Sequence, residues 1–499
     1  MIRAHRQGVV PPGESLRLAR RAARQGRLGA GIDLARSALA IAPDRAEGWE
    51  LLGIMLGRAG RRQEAAAAFR EVLRRAPESV PSHVGLAEIL LENSHPSRAL
   101  DHVQKAARLR REDPSILELE ARCHEASGSM SAAKACLERC ILLDPSAARF
   151  RSALAGVLVR QNRCEAALSV LREAAAREEE NPRIRLMLAA TLRLAGDLDR
   201  ALQAVEQVVQ RWDSPKGHVE RAEILFLQGR YQSARSDWRH RLELPAMAAT
   251  RRRFRNYAAR PWDGSVFTGR TLLLGIEQGA GDIFQFVRFA KLAKARGGRV
   301  LMETRPDQRR LLQQAAGVDA LGDRGCPEEP VDLFSPLLNL PALFNLSRKE
   351  VSAETPYLVP PGDLVQSWKK RLPARRGRLV GLVWAGNPGN PSDHRRSIPL
   401  EILQPLAGLP GVNYLSLQRG SAAAAVHTDS GKALGLLTLE GLRDFADLAA
   451  AIACVDLFIS VDTAAAHIAG AQGVPVWTLL PSTPEWRWGM KGGSSAWYP

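Results

Sequence analysis

The sequence predicts two architectures in one chain: an α-helical superhelix of repeats, followed by α/β structure in two Rossmann-like lobes. Three observations lead there. Small residues recur with a period of 34 through the first half. From residue 270 onward, short apolar strands alternate with helix-length segments in two separate series, the pattern of parallel sheets covered by helices. Residues 455–481, VDLFISVDTAAAHIAGAQGVPVWTLLP, read as strand, polar turn, small-residue helix and strand.

The repeats come first. Gly31, Ala65, Ala99, Ala133, Ala167, Ala201 and Ala234 are spaced by 34 residues five times and then by 33. Twelve positions before each stands another small residue: Ala19, Gly53, Ala87, Ala121, Ala155, Ala189 and Ala222. Four positions after each member of the first set, Ala35, Phe69, Val103, Leu137, Leu171, Val205 and Trp238 supply apolar bulk in most repeats. Two helices pack closely only where each offers a small residue, and the larger one fills the space beside them. A period of 34 with this pattern is the tetratricopeptide signature. The array is assigned to residues 12–247, about seven repeats. Its concave face is of the kind that holds a peptide or a protein partner. Asp197-Leu198-Asp199 falls just after Gly196 in a repeat turn, so it reads as turn chemistry and not as a metal-binding D-x-D. His124 lies beside Cys123, one helix from Cys136 and Cys140. No zinc-ligand spacing accompanies it, and core packing is expected.

Residues 248–269 break the period and are assigned as a linker. They contain Arg251-Arg252-Arg253-Phe254-Arg255, a solvated face or a clamp on acidic groups of the next domain, and Pro261-Trp262-Asp263-Gly264. The first lobe is assigned to 270–360. A strand at 271–274 leads into the turn 277–282, E-Q-G-A-G-D, and a helix over 283–295. A strand follows at 299–304, and Pro306 opens another helix at a favoured position. The G-x-G-D lacks the third glycine of a dinucleotide fingerprint. Residues 336–372, rich in proline, form the passage to the second lobe, assigned to 375–499. There a strand at 379–384, the turn 385–388 and the basic loop 393–399, D-H-R-R-S-I-P, lead to a helix from Leu400. A strand at 412–417, a helix at 445–453 and the 455–481 unit complete it. A ligand in such units sits beyond the strand's carboxyl end, where helix N–H groups and the helix dipole favour phosphate.

Residues 455–481 resemble the nucleotide-sugar site of family 9 glycosyltransferases, the heptosyltransferase group, whose strand runs into a D-T-x-x-x-H helix start and then a G-x-P strand. Asp462, Thr463 and His467 match, with Gly473 and Pro475. Ala464 and Ala466 stand where members often have Gly and Met. The resemblance extends to two further motifs. The Gly-Asp at the start of the first helix implies Asp282 as catalytic base. A Lys or Arg three residues before a Pro, beside the donor diphosphate, implies Arg396, with Arg395 as neighbour. Asn387, Ser397 and Gln418 are secondary donor contacts, and Gln278, Gly279, Gly281 and Gln285 line the acceptor side of the cleft. Repeat-bearing relatives carry similar R-R-R-F…P-x-W-D-G and P-x-W-R-W segments. In the latter, Trp486 or Trp488 is either a stacking platform for the donor base or core. The layout is more distantly similar to the tetratricopeptide-containing O-GlcNAc transferases. The resemblance thus implies a GT-B pair of lobes and an inverting, metal-independent transfer from a nucleoside-diphosphate sugar. No cofactor is expected, and the acceptor is a protein held by the repeats or another molecule.

Composition bounds the alternatives. The chain has 499 residues and a net charge of +17. The positive charge is dispersed through helices and no aromatic-interleaved RNA motif accompanies it, so nucleic acid binding is the weaker reading. The apolar runs are too short to cross a membrane and the N-terminus lacks the apolar core of a signal peptide. Cys123, Cys136, Cys140, Cys164, Cys326 and Cys454 are scattered without a CxxC. A cytoplasmic protein with reduced thiols is expected. Transferases of this build usually continue past a W-Y-P into a final helix, whereas this sequence stops at Pro499. The alternative function is therefore a non-catalytic scaffold with a degenerate transferase domain.

Overall fold

The computed structural model describes residues 10–498 apart from 258, 326–328, 353–354, 375, 391 and 491–492. Cys326, Pro499 and the first nine residues lie outside the described residues. The chain divides into two compact units, 1–191 and 192–499.

The first unit is built of antiparallel helix pairs, from Pro12–Arg24 with Leu28–Ile41 through Ala148–Arg160 with Cys164–Arg177, followed by the start of Pro182–Leu194. The small residues sit where the period requires them. Ala19, Ala65, Ala87, Ala99, Ala133, Ala155 and Ala167 are wholly buried. Gly53 shows why: a Cβ there would come within 2.7 Å of the Phe69 ring. Proline opens the helices Pro12–Arg24, Pro96–Leu109 and Pro114–Ala126, where its missing N–H costs nothing.

The second unit begins with the last repeats, Leu198–Trp212, Pro215–Leu227 and Tyr231–Trp238. Asp197 and Asp199 behave as turn residues. Asp197 caps Leu198–Trp212 by accepting from Arg200 N at 3.2 Å, and Asp199 accepts from Gln228 at 3.0 Å. Two five-stranded sheets follow. One contains β1 (Arg260–Pro261), β2 (Thr271–Gly275), β3 (Arg299–Thr304), β4 (Ala320–Asp323) and β5 (Leu333–Pro336), in the order β1-β5-β2-β3-β4. The other contains β6 (Arg378–Val383), β7 (Val412–Ser416), β8 (Leu437–Thr438), β9 (Leu457–Val461) and β10 (Val476–Leu479), in the order β10-β9-β6-β7-β8. Every pairing is parallel. Both sheets reverse their winding at the first strand of their series, β2 and β6. Leu272, Leu274, Val300, Met302, Leu379 and Leu382 are fully buried, as parallel strands covered on both faces demand.

Several local expectations change. The stretch expected as one helix over 283–295 is three pieces, Ala280–Phe286, a 3-10 turn Val287–Phe289 and Ala290–Lys294. The segment from Leu400 is a 3-10 helix, Leu400–Leu406, with Pro405 inside it. Within 248–269, Ala248–Asn256 is helical and Arg260–Pro261 adds an edge strand. Its arginine cluster is a clamp at one residue. Arg253 Nε lies 3.3 Å from the carboxylate of Glu303, which is 1% exposed and also accepts from Ile276 N and Gly325 N. One hydrophobic core runs from Val219, Phe226 and Trp238 through both lobes to Trp486 and Trp497. For that reason the compact unit starts at 192, inside the repeats, and not at their end.

Candidate active site

The candidate residues sit on the loops that leave the carboxyl ends of β2, β6 and β9. In an open parallel sheet those strand ends flank the crevice where ligands bind.

The β2 loop is braced from the repeat side. Arg241, 1% exposed, donates twice to Glu277, from Nε at 3.0 Å and from Nη2 at 2.5 Å. Downstream, Gly279 N donates to Asp282 Oδ2 at 3.0 Å. The N-cap of Ala280–Phe286 is Gly279, and Asp282, the third residue of the helix, folds back over its start. The other carboxylate oxygen of Asp282 accepts from Arg487 Nη2. Burial pushes the Asp282 carboxyl above its ordinary range, while Arg487 pulls it down and Glu485 pushes it up again. A carboxylate so tuned is a better proton acceptor than a solvated one.

The β9 loop supplies the second wall. Thr463 is the N-cap of Ala464–Gln472, and its side chain makes no capping bond. Its hydroxyl instead lies 3.2 Å from Ser460 Oγ. Asp462 Oδ1 is 3.8 Å from His467 Nε2. Burial, with Glu485 adding to it, raises Asp462 to about 6. His467 Nδ1 lies 2.8 Å from the Tyr498 hydroxyl, and its ring stacks on Trp488 at 5.2 Å. Burial, with Arg487, Arg288 and Arg396 nearby, holds the imidazole well below its usual range and therefore neutral.

The β6 loop brings the cation. Arg396 Nη1 donates to Asp462 O at 3.0 Å and Nε to Asp393 Oδ1 at 3.0 Å. Asp393 also accepts from Ser397 Oγ at 2.7 Å, which in turn accepts from Gly386 N at 2.8 Å. Arg395 Nη2 reaches Thr483 O at 3.4 Å.

The two walls meet at Gly281. A Cβ there would lie 2.7 Å from His467 Cδ2 and 3.5 Å from Ala464 Cα. Glycine at 281 lets the helix starts Ala280–Phe286 and Ala464–Gln472 touch. Asp282, Arg396, Asp462, Thr463 and His467 thereby converge. Most of the other expected contacts engage the nearby backbone. Gln418 spends its amide on the backbone, accepting from Trp384 N and Ala385 N and donating to Ala385 O and Arg419 O, at 2.8 to 3.0 Å. It holds the β6 turn in shape. Asn387 is exposed and accepts from Gly389 N at 2.9 Å, fixing the same turn. Gln278 contributes its carbonyl to Arg305 at 3.1 Å. Gln285 was expected on the cleft, but its helix turns it inward. It is fully buried, and its amide atoms have no hydrogen-bond partner among the described residues. Trp486 stacks on Phe226 at 4.4 Å and belongs to the core, whereas Trp488 faces His467.

Sequence reasoning missed Arg487 and Tyr498. Arg487, its side chain 7% exposed, pairs with both Asp282 and Glu485 and so joins the β2 loop to the segment after β10. Its signal is the charge between two tryptophans in W-R-W.

Comparison with known proteins agrees with this layout. Residues 58–123 match one tetratricopeptide repeat family, and 16–80, 124–182, 152–215 and 186–239 match a second. Residues 421–496 match glycosyltransferase family 9 (heptosyltransferase), a span that includes Asp462, Thr463, His467 and Arg487 but not Asp282 or Arg396. The chain is similar to protein FlbA of Caulobacter vibrioides, with 26% identity over 332 residues covering 61% of this chain and 55% of that protein. It thus spans about half the length of the curated relative it matches. Solved structures with some likeness include a tetratricopeptide repeat protein from Parabacteroides merdae, at 14% identity and TM-score 0.43 over 48% of this chain and 95% of that one. Another is MamA from Desulfovibrio magneticus, at 16% and 0.33 over 34% of this chain and 96% of that one. The chain carries tetratricopeptide repeats followed by a glycosyltransferase family 9 domain.

Proposed function

We propose that this protein transfers a sugar from a nucleoside-diphosphate donor to an acceptor hydroxyl, with inversion at the anomeric carbon and without a metal. Asp282 takes the hydroxyl proton as the acceptor oxygen bonds to the anomeric carbon. The bond from that carbon to the diphosphate oxygen breaks on the opposite face. The charge gathering on the leaving diphosphate falls to Arg396 and to the start of Ala464–Gln472. Asp462 and neutral His467 orient the donor. The repeats hold a polypeptide acceptor. The compartment is the cytoplasm, in keeping with the free thiols of Cys123, Cys136 and Cys140.

The observation that carries this reading is the ion pair of Asp282 with Arg487. It ties the expected base to the same charged cluster as Asp462, whose charge also acts on Arg487. The test titrates UDP-, GDP-, ADP- and CDP-linked sugars by calorimetry, with Arg396→Ala and Asp462→Ala alongside. One donor should bind the parent and neither variant. Asp282→Asn should keep donor binding and lose transfer to the acceptor. A second reading draws on the same contact. With Asp282 already engaged by Arg487 and Gly279, the domain is a donor-blind remnant and the repeats act as a scaffold. Absence of binding by every donor to a folded chain would establish that alternative.

A further inference from the structure

The fourth repeat carries polar groups at three positions that meet in space. One residue before the small residue of each first helix, the repeats carry Leu18, Leu52, Leu86, Glu120, Leu154, Leu188 and Arg221. Three residues after it they carry Ala22, Leu56, Leu90, His124, Leu158, Leu192 and Leu225. Leu52, Leu56, Leu86, Leu90, Leu154 and Leu158 are buried. Both seam positions thus turn polar together only in repeat four, on the helix Pro114–Ala126. Facing them from Met130–Leu143 is Cys136, three residues after Ala133.

The last repeat shows what this geometry does when the seam is polar. Arg221 and Asp237 occupy the positions of Glu120 and Cys136, and they bond directly, Nε to Oδ2 at 2.6 Å. In repeat four the corresponding groups are a carboxylate and a thiol, with an imidazole beside them. Glu120 Oε1 lies 3.9 Å from His124 Nε2. One ligand atom from each of Glu120, His124 and Cys136 lies within 4.8 Å of the others, and all three residues are half-buried. The nearby guanidinium of Arg139 is turned to Glu112 at 3.5 Å.

We propose that Glu120, His124 and Cys136 bind a divalent cation of the zinc class. An imidazole nitrogen, a thiolate and a carboxylate are the donor set that borderline-soft Zn²⁺ selects over Mg²⁺ or Ca²⁺. Ligand atoms on one zinc ion lie roughly 3–4 Å apart, so small side-chain rotations close the set. The Cys136 thiol gives its proton to solvent as the sulfur–metal bond forms, and the two anionic ligands balance the charge of the ion. The fourth position is left to a water molecule. No C-x-x-C or H-x-x-x-H spacing betrays such a site, because the ligands come from two helices. Bound metal would staple this hairpin in place of the apolar seam of its neighbours.

The test uses the full chain, stripped with chelator and titrated with Co²⁺. The expected result is one equivalent bound with a near-ultraviolet thiolate-to-cobalt charge-transfer band that Zn²⁺ erases. Cys136→Ala should lose the band while Cys140→Ser keeps it, and His124→Ala should weaken Zn²⁺ by at least about tenfold. The folding control is the double variant Glu120→Leu/His124→Leu, which restores the seam of the other repeats. It should melt no lower than the metal-free parent and ignore Zn²⁺. No band in the parent, a band surviving Cys136→Ala, or unchanged Zn²⁺ affinity in the folded double variant would each overturn the proposal.

Discussion

Replacing Arg487 with alanine should destabilise the second unit by about 3 kcal/mol at neutral pH, the lower end of the range for breaking a buried ion pair from one side. The lower end applies because the Asp282 side chain keeps 15% of its surface exposed and stays partly solvated. The loss should depend on pH, and its sign follows from Asp282. Its folded carboxyl is already raised, with Arg487 holding it down. Without Arg487 it rises further, so the folded variant binds more protons than the unfolded chain between the two values. Stability then falls as pH rises through that window. The deficit should be larger at neutral pH and shrink as the pH drops below about 3, where Asp282 is protonated in both states. Urea melts of the parent, Arg487→Ala, Asp282→Asn and the double variant at two pH values measure it. For a unit this size each kcal/mol moves the thermal midpoint by roughly 1.5 °C. The double variant should recover at least about 1 kcal/mol over Arg487→Ala. A double variant as unstable as Arg487→Ala, or a deficit that does not change with pH, would refute the assignment of Arg487 as the counter-ion of Asp282.

Three more outcomes follow from the same geometry. Asp462 is raised to about 6, so its charge costs stability above that pH and nothing below about 4. Asp462→Asn should accordingly raise the melting midpoint at pH 7.5 and leave it unchanged near pH 3.5. Gly281→Ala places a methyl 2.7 Å from His467 Cδ2. This overpacking should cost about 1–3 kcal/mol in denaturant melts and weaken donor binding in calorimetry by parting the two helix starts. Tyr498→Phe removes the hydroxyl 2.8 Å from His467 Nδ1. It should cost about 1 kcal/mol and change the imidazole nitrogen shifts seen by NMR.

The periodic residues were legible because their physics is local. A small residue at Ala65 and a ring at Phe69 say the same thing in any helix pair, and proline at 114 marks a helix start wherever it stands. The strands β2, β3, β6, β7 and β9 were legible for a similar reason: a short apolar run buried in a sheet needs no knowledge of its neighbours, and β10 reads as an apolar run too, although it is an edge strand with Trp477 62% exposed. β4, β5 and the edge strand β1 were not, since Ala320–Asp323 is half polar and Arg260–Pro261 pairs only because Leu333 lies beside it. Asp282, Arg396, Asp462, Thr463 and His467 were found as motifs on strand-to-helix turns. Their meeting was invisible, because Gly281 and His467 are 186 positions apart in the chain.

The sequence alone therefore determined the repeat array, the two parallel α/β series and the loops that bear the polar groups, all of them carried by spacing within a few tens of residues. Only the tertiary structure decided what those groups face. It gave Asp282 its Arg487, turned Gln285 and Gln418 inward and bound Arg241 of the repeat side to Glu277. It also set Glu120 and His124 against Cys136. The reason is physical. Hydrogen bonds and ion pairs act over a few ångströms, and which residues come that close depends on how helices and sheets pack.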